Sequence, residues 1–514
     1  MRLASLFLAL ALLGASSPVV IVPIDDRPVT RQLPVLLGRV AGIPIVEPPR
    51  ALLGTYLDPG KPDAIYRWLV SDATAGADAF VLSSDMLAYG GLVASRAPGI
   101  DAELGYARLR YATALRGLRT GAAFYGFGTV MRLAPTGIPA LGPAASFFAA
   151  GDDVDLLTEY ANLADPPTGN GLARAEALRG ELGDVLVRYL DTRRRDLNVD
   201  LFALQLTAEG GFDRFVLGQD DAGPQGLHLR DLAALRAARD GWGWGLKDRT
   251  SVEPGADELA MILEAAAFAR RARWEPTVTV TWSRPDGGTL NDPLEFAPLE
   301  NTVDSVIRAC TAQRVAAGGA VQLFIKVKET NAEQERAFLD GIAQAISAGA
   351  LVAVVDLTFL GGSAEEQRAL VEAMIARRLA GRVAGFGSWN TAANSVGTAL
   401  PAAIAVGAGK RLGSFDPTAL AELLLDRYAD DYAFHDFVRP ALNQQLDARG
   451  VDHSYLLPEV AKEIESRNRS LLWPRALELL SAIFPGYRDA GMTITLPWGR
   501  TFETELDVRL RRER

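Results

Sequence analysis

Val19-Val20-Ile21-Val22-Pro23-Ile24-Asp25-Asp26-Arg27-Pro28 is an apolar run that stops abruptly at two carboxylates, a guanidinium and a turn-forming proline. The same junction recurs at Phe80 to Ser84-Asp85, at Phe215 to Gln219-Asp220-Asp221, at Val252 to Glu253-Pro254-Gly255-Ala256-Asp257-Glu258, and at Val383 to Ser388-Trp389-Asn390. Short runs rich in Val, Ile and Phe alternate with longer amphipathic stretches, which is the pattern of βαβ units. In such folds the carboxyl ends of parallel strands lie on one side of the sheet, so polar residues far apart in sequence can converge on one cleft.

Working outward from that stretch, strands are expected over residues 19–24, 43–46, 79–82, 122–127, 215–217, 277–282, 321–327, 351–355 and 383–386. Residues 144–209 and 411–482 carry no such runs and read as helices. The expected fold class is α/β, with two Rossmann-like parallel-sheet domains, a helical insertion and a mainly helical C-terminal region. A (β/α) barrel plus accessory domain is the alternative, but nine candidate strands exceed the eight a barrel needs. The expected divisions are a signal peptide over 1–17, an α/β domain over 18–272 with its insertion at about 144–209, a second α/β domain over 273–410, and a mainly helical region with terminal strands over 411–514.

The 514 residues, 49% apolar and 23% charged, are ordinary for packed structure and long enough for about three domains. A net charge of −10 argues against nucleic acid as a partner. Arg2, the apolar run of residues 3–13 and the small residues Gly14-Ala15-Ser16-Ser17 form an export pattern, so the protein is expected to be periplasmic or extracellular. That run is too short for a comfortable membrane span, so no stable span is expected after cleavage. The single cysteine, Cys310, rules out an internal disulfide. His228, His435 and His453 lack metal-ligand spacing, and P-loop, strand-bound GxGxxG and GxSxG patterns are absent. No cofactor is expected, although a carboxylate-bound Mg²⁺ or Ca²⁺ stays open because hard cations need only oxygen ligands.

Five segments together resemble the motifs of the bacterial family DUF4127. They are Val22-Pro23-Ile24-Asp25-Asp26-Arg27-Pro28-Val29, Ser84-Asp85-Met86-Leu87-Ala88-Tyr89-Gly90-Gly91-Leu92-Val93-Ala94-Ser95-Arg96, Gly218-Gln219-Asp220-Asp221-Ala222-Gly223-Pro224, Pro254-Gly255-Ala256-Asp257-Glu258 and Trp389-Asn390-Thr391-Ala392-Ala393-Asn394. They occur in matching order. The resemblance implies a family and no activity, so the chemistry has to be read from the residues.

Asp220 and Asp221 are adjacent carboxylates in a turn, an arrangement that raises one pKa and suits a general acid; two solvated loop aspartates are the plainer reading. Asp257 and Glu258 precede an amphipathic helix, where the macrodipole favours the ionised form and suits a base or stabiliser, or where they simply cap. Arg27 can clamp a substrate or pair with Asp25 or Asp26. Asp85 and Tyr89 lie on a Gly-rich bend beside a strand end. Gln219, Asn390 and Asn394 offer amides for sugar hydroxyls, and Trp389 a stacking face, with Trp242 and Trp244 as a second platform. Catalytic residues are thus expected among Asp220, Asp221, Asp257 and Glu258, with substrate held by Asp25, Asp26, Arg27, Asp85, Tyr89, Gln219, Trp389, Asn390 and Asn394. The pattern points to an exported glycoside hydrolase acting on a small-molecule or glycan substrate. The alternatives are a noncatalytic two-lobed glycan- or solute-binding protein and a divalent-metal-dependent phosphoryl hydrolase; the oligomeric state is not encoded in these patterns.

Overall fold

A computed structural model describes residues 17–137, 152–163, 166, 168–243 and 245–513. The expected signal segment, apart from Ser17, lies outside the described residues, as do Trp244 and residues 144–151 of the insertion. Two open parallel sheets carry the fold, which is therefore α/β and not a closed barrel. The first comprises β1 (Val19–Val22), β2 (Ile45–Val46), β3 (Ala79–Ser83), β4 (Ala123–Val130), β5 (Arg214–Gln219) and β6 (Thr250–Pro254) in the order β2-β1-β3-β4-β5-β6. The second comprises β7 (Thr277–Trp282), β8 (Gln313–Arg314), β9 (Val321–Lys326), β10 (Leu351–Asp356) and β11 (Gly385–Gly387) in the order β8-β7-β9-β10-β11. Both sheets thus wind in the doubly wound 2-1-3-4-5 sense, which opens a crevice beyond the strands' carboxyl ends.

The central strands are buried on both faces, which is why Val-Val-Ile-Val in β1 shows no alternation. All nine expected runs carry a strand. Two further strands escaped because the apolar signal is weak there: β6 reads Thr-Ser-Val-Glu-Pro and tolerates Pro254 as an edge strand, and β8 is two exposed residues. Beyond the second sheet the chain is mainly helical, ending in two antiparallel ribbons, β12 (Tyr487–Asp489) with β15 (Leu510–Arg512) and β13 (Thr493–Thr495) with β14 (Glu505–Asp507).

Three helices bring the two sheets together. They are α1 (Pro28–Ala41), α2 (Leu259–Arg271) and α3 (Ala392–Leu412), and α3 packs on both α1 and α2 while also contacting β10 and β11. Every residue from Ala392 to Gly409 is buried, so α3 shows no polar face. Its seat depends on glycine: a Cβ on Gly385 or Gly387 of β11 would come within 2.1 Å of Ala399 O or 2.3 Å of Ser395 O. Leu400 and Ile404 of α3, buried in the core that joins both sheets, contribute about 2 kcal/mol apiece. The sequence after β1, β5, β6 and β11 is thereby delivered to one region.

Candidate functional site

Beyond the carboxyl ends of the first sheet lies a cavity of about 270 Å³, walled by residues following β1, β4, β5, β6 and β11 and by the loop between β13 and β14. Asp220, Asp221, Asp257, Gln219, Arg27, Asn390 and Asn394 line it, so seven of the expected residues meet there across nearly 370 positions of sequence. Asp25, Asp26, Asp85, Tyr89, Glu258 and Trp389 do not line it.

Arg27 is the hub. The chain turns at Asp25, whose Oδ1 accepts from the Arg27 amide at 3.1 Å and the Thr30 hydroxyl at 2.7 Å. Its Oδ2 accepts from Arg27 Nε at 2.9 Å and Nη2 at 2.7 Å. The guanidinium then spans to Asp257, donating from Nη1 at 3.1 Å and Nη2 at 2.6 Å. Burial pushes the Asp25 carboxyl up and Arg27 pulls it back. Asp25 therefore orients Arg27 and does not face a ligand. Asp26 turns the other way and accepts from Arg50 Nε at 3.0 Å and Trp498 Nε1 at 2.6 Å.

Asp220 is ion-paired with Arg96, which approaches from the loop after the Gly90-Gly91 bend. Asp221, 34% exposed at its side chain, stands 3.5 Å from Arg132 Nη1. Its carboxyl is pushed up to about 6 by burial and by Asp220 beside it, against the pull of Arg132. Gln219 donates from Nε2 to the carbonyls of Val130, Met131 and Asp220, which leaves its Oε1 without a partner.

The expected ionised carboxylate at Glu258 is not found. Glu258 is 1% exposed, and burial first, with Asp257 and Glu295 nearby, pushes its carboxyl up to about 8. The Ala256 amide at 3.2 Å and Asn394 Nδ2 at 2.6 Å both donate to Oε2. Desolvation outweighs the macrodipole because the helix end is covered by α3 rather than by water. Glu258 thus supports the cavity from behind, and the expected contrast between a raised pair and a lowered pair fails at this residue.

Asp85 is 3% exposed and accepts from the Thr129 amide and hydroxyl, each at 3.0 Å. Burial and Asp196 push it up to about 7, which makes it a buried anchor between β3 and β4. Tyr89 is also buried, with the Arg195 guanidinium 4.5 Å above its ring. Trp389 belongs to the core and donates its Nε1 to Thr398 Oγ1 at 3.1 Å, so it offers this cavity no stacking face. Trp242 does not line the cavity either. Asn390 does, in a left-handed backbone conformation at φ 54° that Asn tolerates better than most residues.

The aromatic wall comes from residues the motifs did not single out. Trp498 and Tyr56 stack with centroids 5.2 Å apart and planes 4° from parallel. Arg27 lies 4.9 Å and Arg500 4.7 Å from the Trp498 ring centroid. Arg500 is bonded to Glu503 through Nε at 3.1 Å and Nη2 at 2.6 Å. Glu295 also lines the cavity; burial and the nearby Asp292 push it up to about 8. Asp292 and Glu295 accept from the first amides of α3, at Ala392 and Ala393, over 2.8 and 2.7 Å. The loop Pro497-Trp498-Gly499-Arg500, a tryptophan held between turn residues, was the one sequence signal for this wall.

Each cavity arginine therefore has a carboxylate: Arg27 with Asp257, Arg96 with Asp220, Arg132 with Asp221, and Arg500 with Glu503. Such a lining presents many oriented donors and acceptors with little net field. Among the described residues, no group of three or more His, Cys, Asp or Glu is arranged to hold a metal ion, and no helix is long and apolar enough to cross a membrane.

No curated protein and no solved structure matches the chain. The family model described as "Protein of unknown function (DUF4127)" matches residues 19–507, a span that takes in both sheets, the cavity and the C-terminal wall. The chain belongs to that family, DUF4127.

Proposed function

We propose that this cavity is the active site of an exported glycoside hydrolase, with Asp221 as the proton donor and Asp257 as the base or electrostatic stabiliser. The observation that carries the reading is the pairing of two carboxylates in unlike surroundings within one pocket: Asp221 is raised to about 6, and Asp257 is in a bidentate ion pair with Arg27. Carboxylates with divergent environments are what an acid and its partner require. Asp220 is less suited to donate a proton because Arg96 already engages it.

The charge-balanced lining favours hydroxyl-rich substrate over a phosphoryl group, which would call for guanidinium groups not already committed to carboxylates. The Trp498–Tyr56 stack supplies an apolar face for a sugar ring. The basic, apolar and small-residue pattern of residues 1–17 supports export.

The test uses Asp221→Asn and Asp257→Asn, assayed singly on a panel of aryl glycosides that includes amino sugars. Each is expected to lower kcat about 10²–10⁴-fold, the range for loss of a general acid or base. Turnover that survives both substitutions overturns the assignment. Glycan binding by the unmodified protein with no turnover of any substrate replaces it with the binding-protein reading.

A further inference from the structure

The four arginines of the cavity are not equally committed. Arg27 meets Asp257 at 2.6 and 3.1 Å, Arg500 meets Glu503 at 2.6 and 3.1 Å, and Arg96 pairs directly with Asp220. Arg132 differs. Its Nε donates to the Ala134 carbonyl at 2.8 Å, which orients the guanidinium, and its own carbonyl is pinned by Arg193 Nη1 at 2.8 Å. Its Nη2 reaches Thr136 Oγ1 only at 3.4 Å, and its Nη1 stands 3.5 Å from Asp221 Oδ2, both longer than an ordinary N–H···O bond. Among the described residues neither terminal nitrogen has a closer partner. The side chain is 24% exposed and lines the cavity, so the fork can be reached from it.

Charge points the same way. Thr136 Oγ1 is shared with Arg96, whose Nη1 lies 3.5 Å from it, so two guanidinium groups crowd one buried hydroxyl. Burial and Arg96 pull the Arg132 guanidinium down from its ordinary value, against Asp220 and Asp221. Burial pulls on Arg27 too, but there Asp25 and Asp257 more than offset it and the guanidinium is raised. Arg132 keeps its charge at any working pH all the same. Asp220 is engaged by Arg96, so Asp221 is the carboxylate left to face Arg132. When Asp221 carries the proton of a general acid, that negative charge is gone and Arg132 stands uncompensated.

A guanidinium with both terminal nitrogens free in one plane matches the two oxygens of a carboxylate. We propose that Arg132 sets the specificity of this cavity by binding the ring carboxylate of a uronic-acid unit in the substrate. A phosphoryl dianion is a poorer match, because it would call on Arg96 as well, which Asp220 already holds. The carboxylate site stands on the geometry of Arg132, while its place beside a cleaved bond rests on the hydrolase reading above.

The experiment is binding of D-glucuronate, D-glucuronamide and glucose 6-phosphate to the full chain at pH 6, followed by saturation-transfer NMR and calorimetry. The unmodified protein is expected to bind glucuronate about tenfold tighter than the uncharged amide, as a bidentate charged pair predicts. Arg132→Gln should bring the two to within about twofold of each other. Asp221→Asn, which removes the competing carboxylate, should tighten glucuronate binding about threefold, and this variant stands in if Arg132→Gln does not fold. Equal binding of glucuronate and its amide, a preference that survives Arg132→Gln, or no tightening in Asp221→Asn overturns the proposal. Tightest binding of glucose 6-phosphate overturns it in favour of a phosphoryl ligand. An aryl glucuronide and an aryl glucoside separate the two readings. A glucuronate preference with turnover of neither leaves Arg132 in its role and removes the hydrolase, whereas turnover of the glucoside alone keeps the hydrolase and removes the uronide.

Discussion

Replacing Arg27 by Met tests whether one buried guanidinium joins the two parts of the site. The substitution removes four side-chain hydrogen bonds of 2.6–3.1 Å, two to Asp25 and two to Asp257, and leaves those carboxylates 1% and 8% exposed without their shared partner. Breaking a buried ion pair from one side costs about 3–5 kcal/mol because the remaining charge is stranded. Urea titration at pH 7 should show a loss of that size. The pH dependence has a definite sign. The folded Asp25 carboxyl is already raised, and losing Arg27 raises it further, so the native state holds a proton that the unfolded chain releases. A group of that kind favours folding at low pH, and its contribution is lost as pH rises from the unfolded value, near 4, through the folded one. The deficit of the variant should therefore be smaller at pH 5 than at pH 7. Adding Asp25→Asn and Asp257→Asn should recover most of the loss, since removing a whole buried network is often close to neutral. A deficit below about 1 kcal/mol at pH 7, or no recovery in the triple variant, refutes the reasoning.

In kinetic measurements with an aryl glycoside, activity should decline as pH rises through about 6, where Asp221 loses the proton a general acid must hold; a flat profile from pH 5 to 8 contradicts that role. Glu258→Gln keeps the shape of a carboxyl that is raised to about 8, so below about pH 4, where the folded and unfolded carboxyls both hold their proton, its stability should lie within about 1 kcal/mol of the unmodified protein. Because a raised carboxyl loses its stabilising contribution as pH climbs from its unfolded value, about 4, toward 8, the Gln variant should gain steadily on the unmodified protein over that range and level off above it, and urea midpoints across pH 4–9 check this. Trp498→Ala removes the Tyr56 stack, two guanidinium contacts and the bond to Asp26. It should cost about 3 kcal/mol of stability and raise KM more than it lowers kcat, as the loss of a binding wall rather than of a reacting group predicts.

The sequence by itself determined the two-sheet architecture, because that information is local. Fully buried stretches such as Val19–Val22 and Val352–Val355 announce themselves as continuous apolar runs, and the residues just beyond the strands' carboxyl ends must fall on one side of a parallel sheet. Asp220, Asp221, Asp257 and Arg27 were legible as cavity residues on that argument alone. Strands β6 and β8 were not, since an edge strand ending in proline and a two-residue exposed strand carry little apolar signal. Which carboxylates face the cavity, and in which protonation state, was settled only by tertiary packing. Burial under α3 reversed the expectation for Glu258, a core position withdrew Trp389, and a bond to Thr129 withdrew Asp85. The aromatic wall arrives from 472 residues away, where Trp498 donates to Asp26, and Arg27 finds Asp257 across 230. Desolvation and charge pairing depend on such distant neighbours, so no window of local sequence contains them.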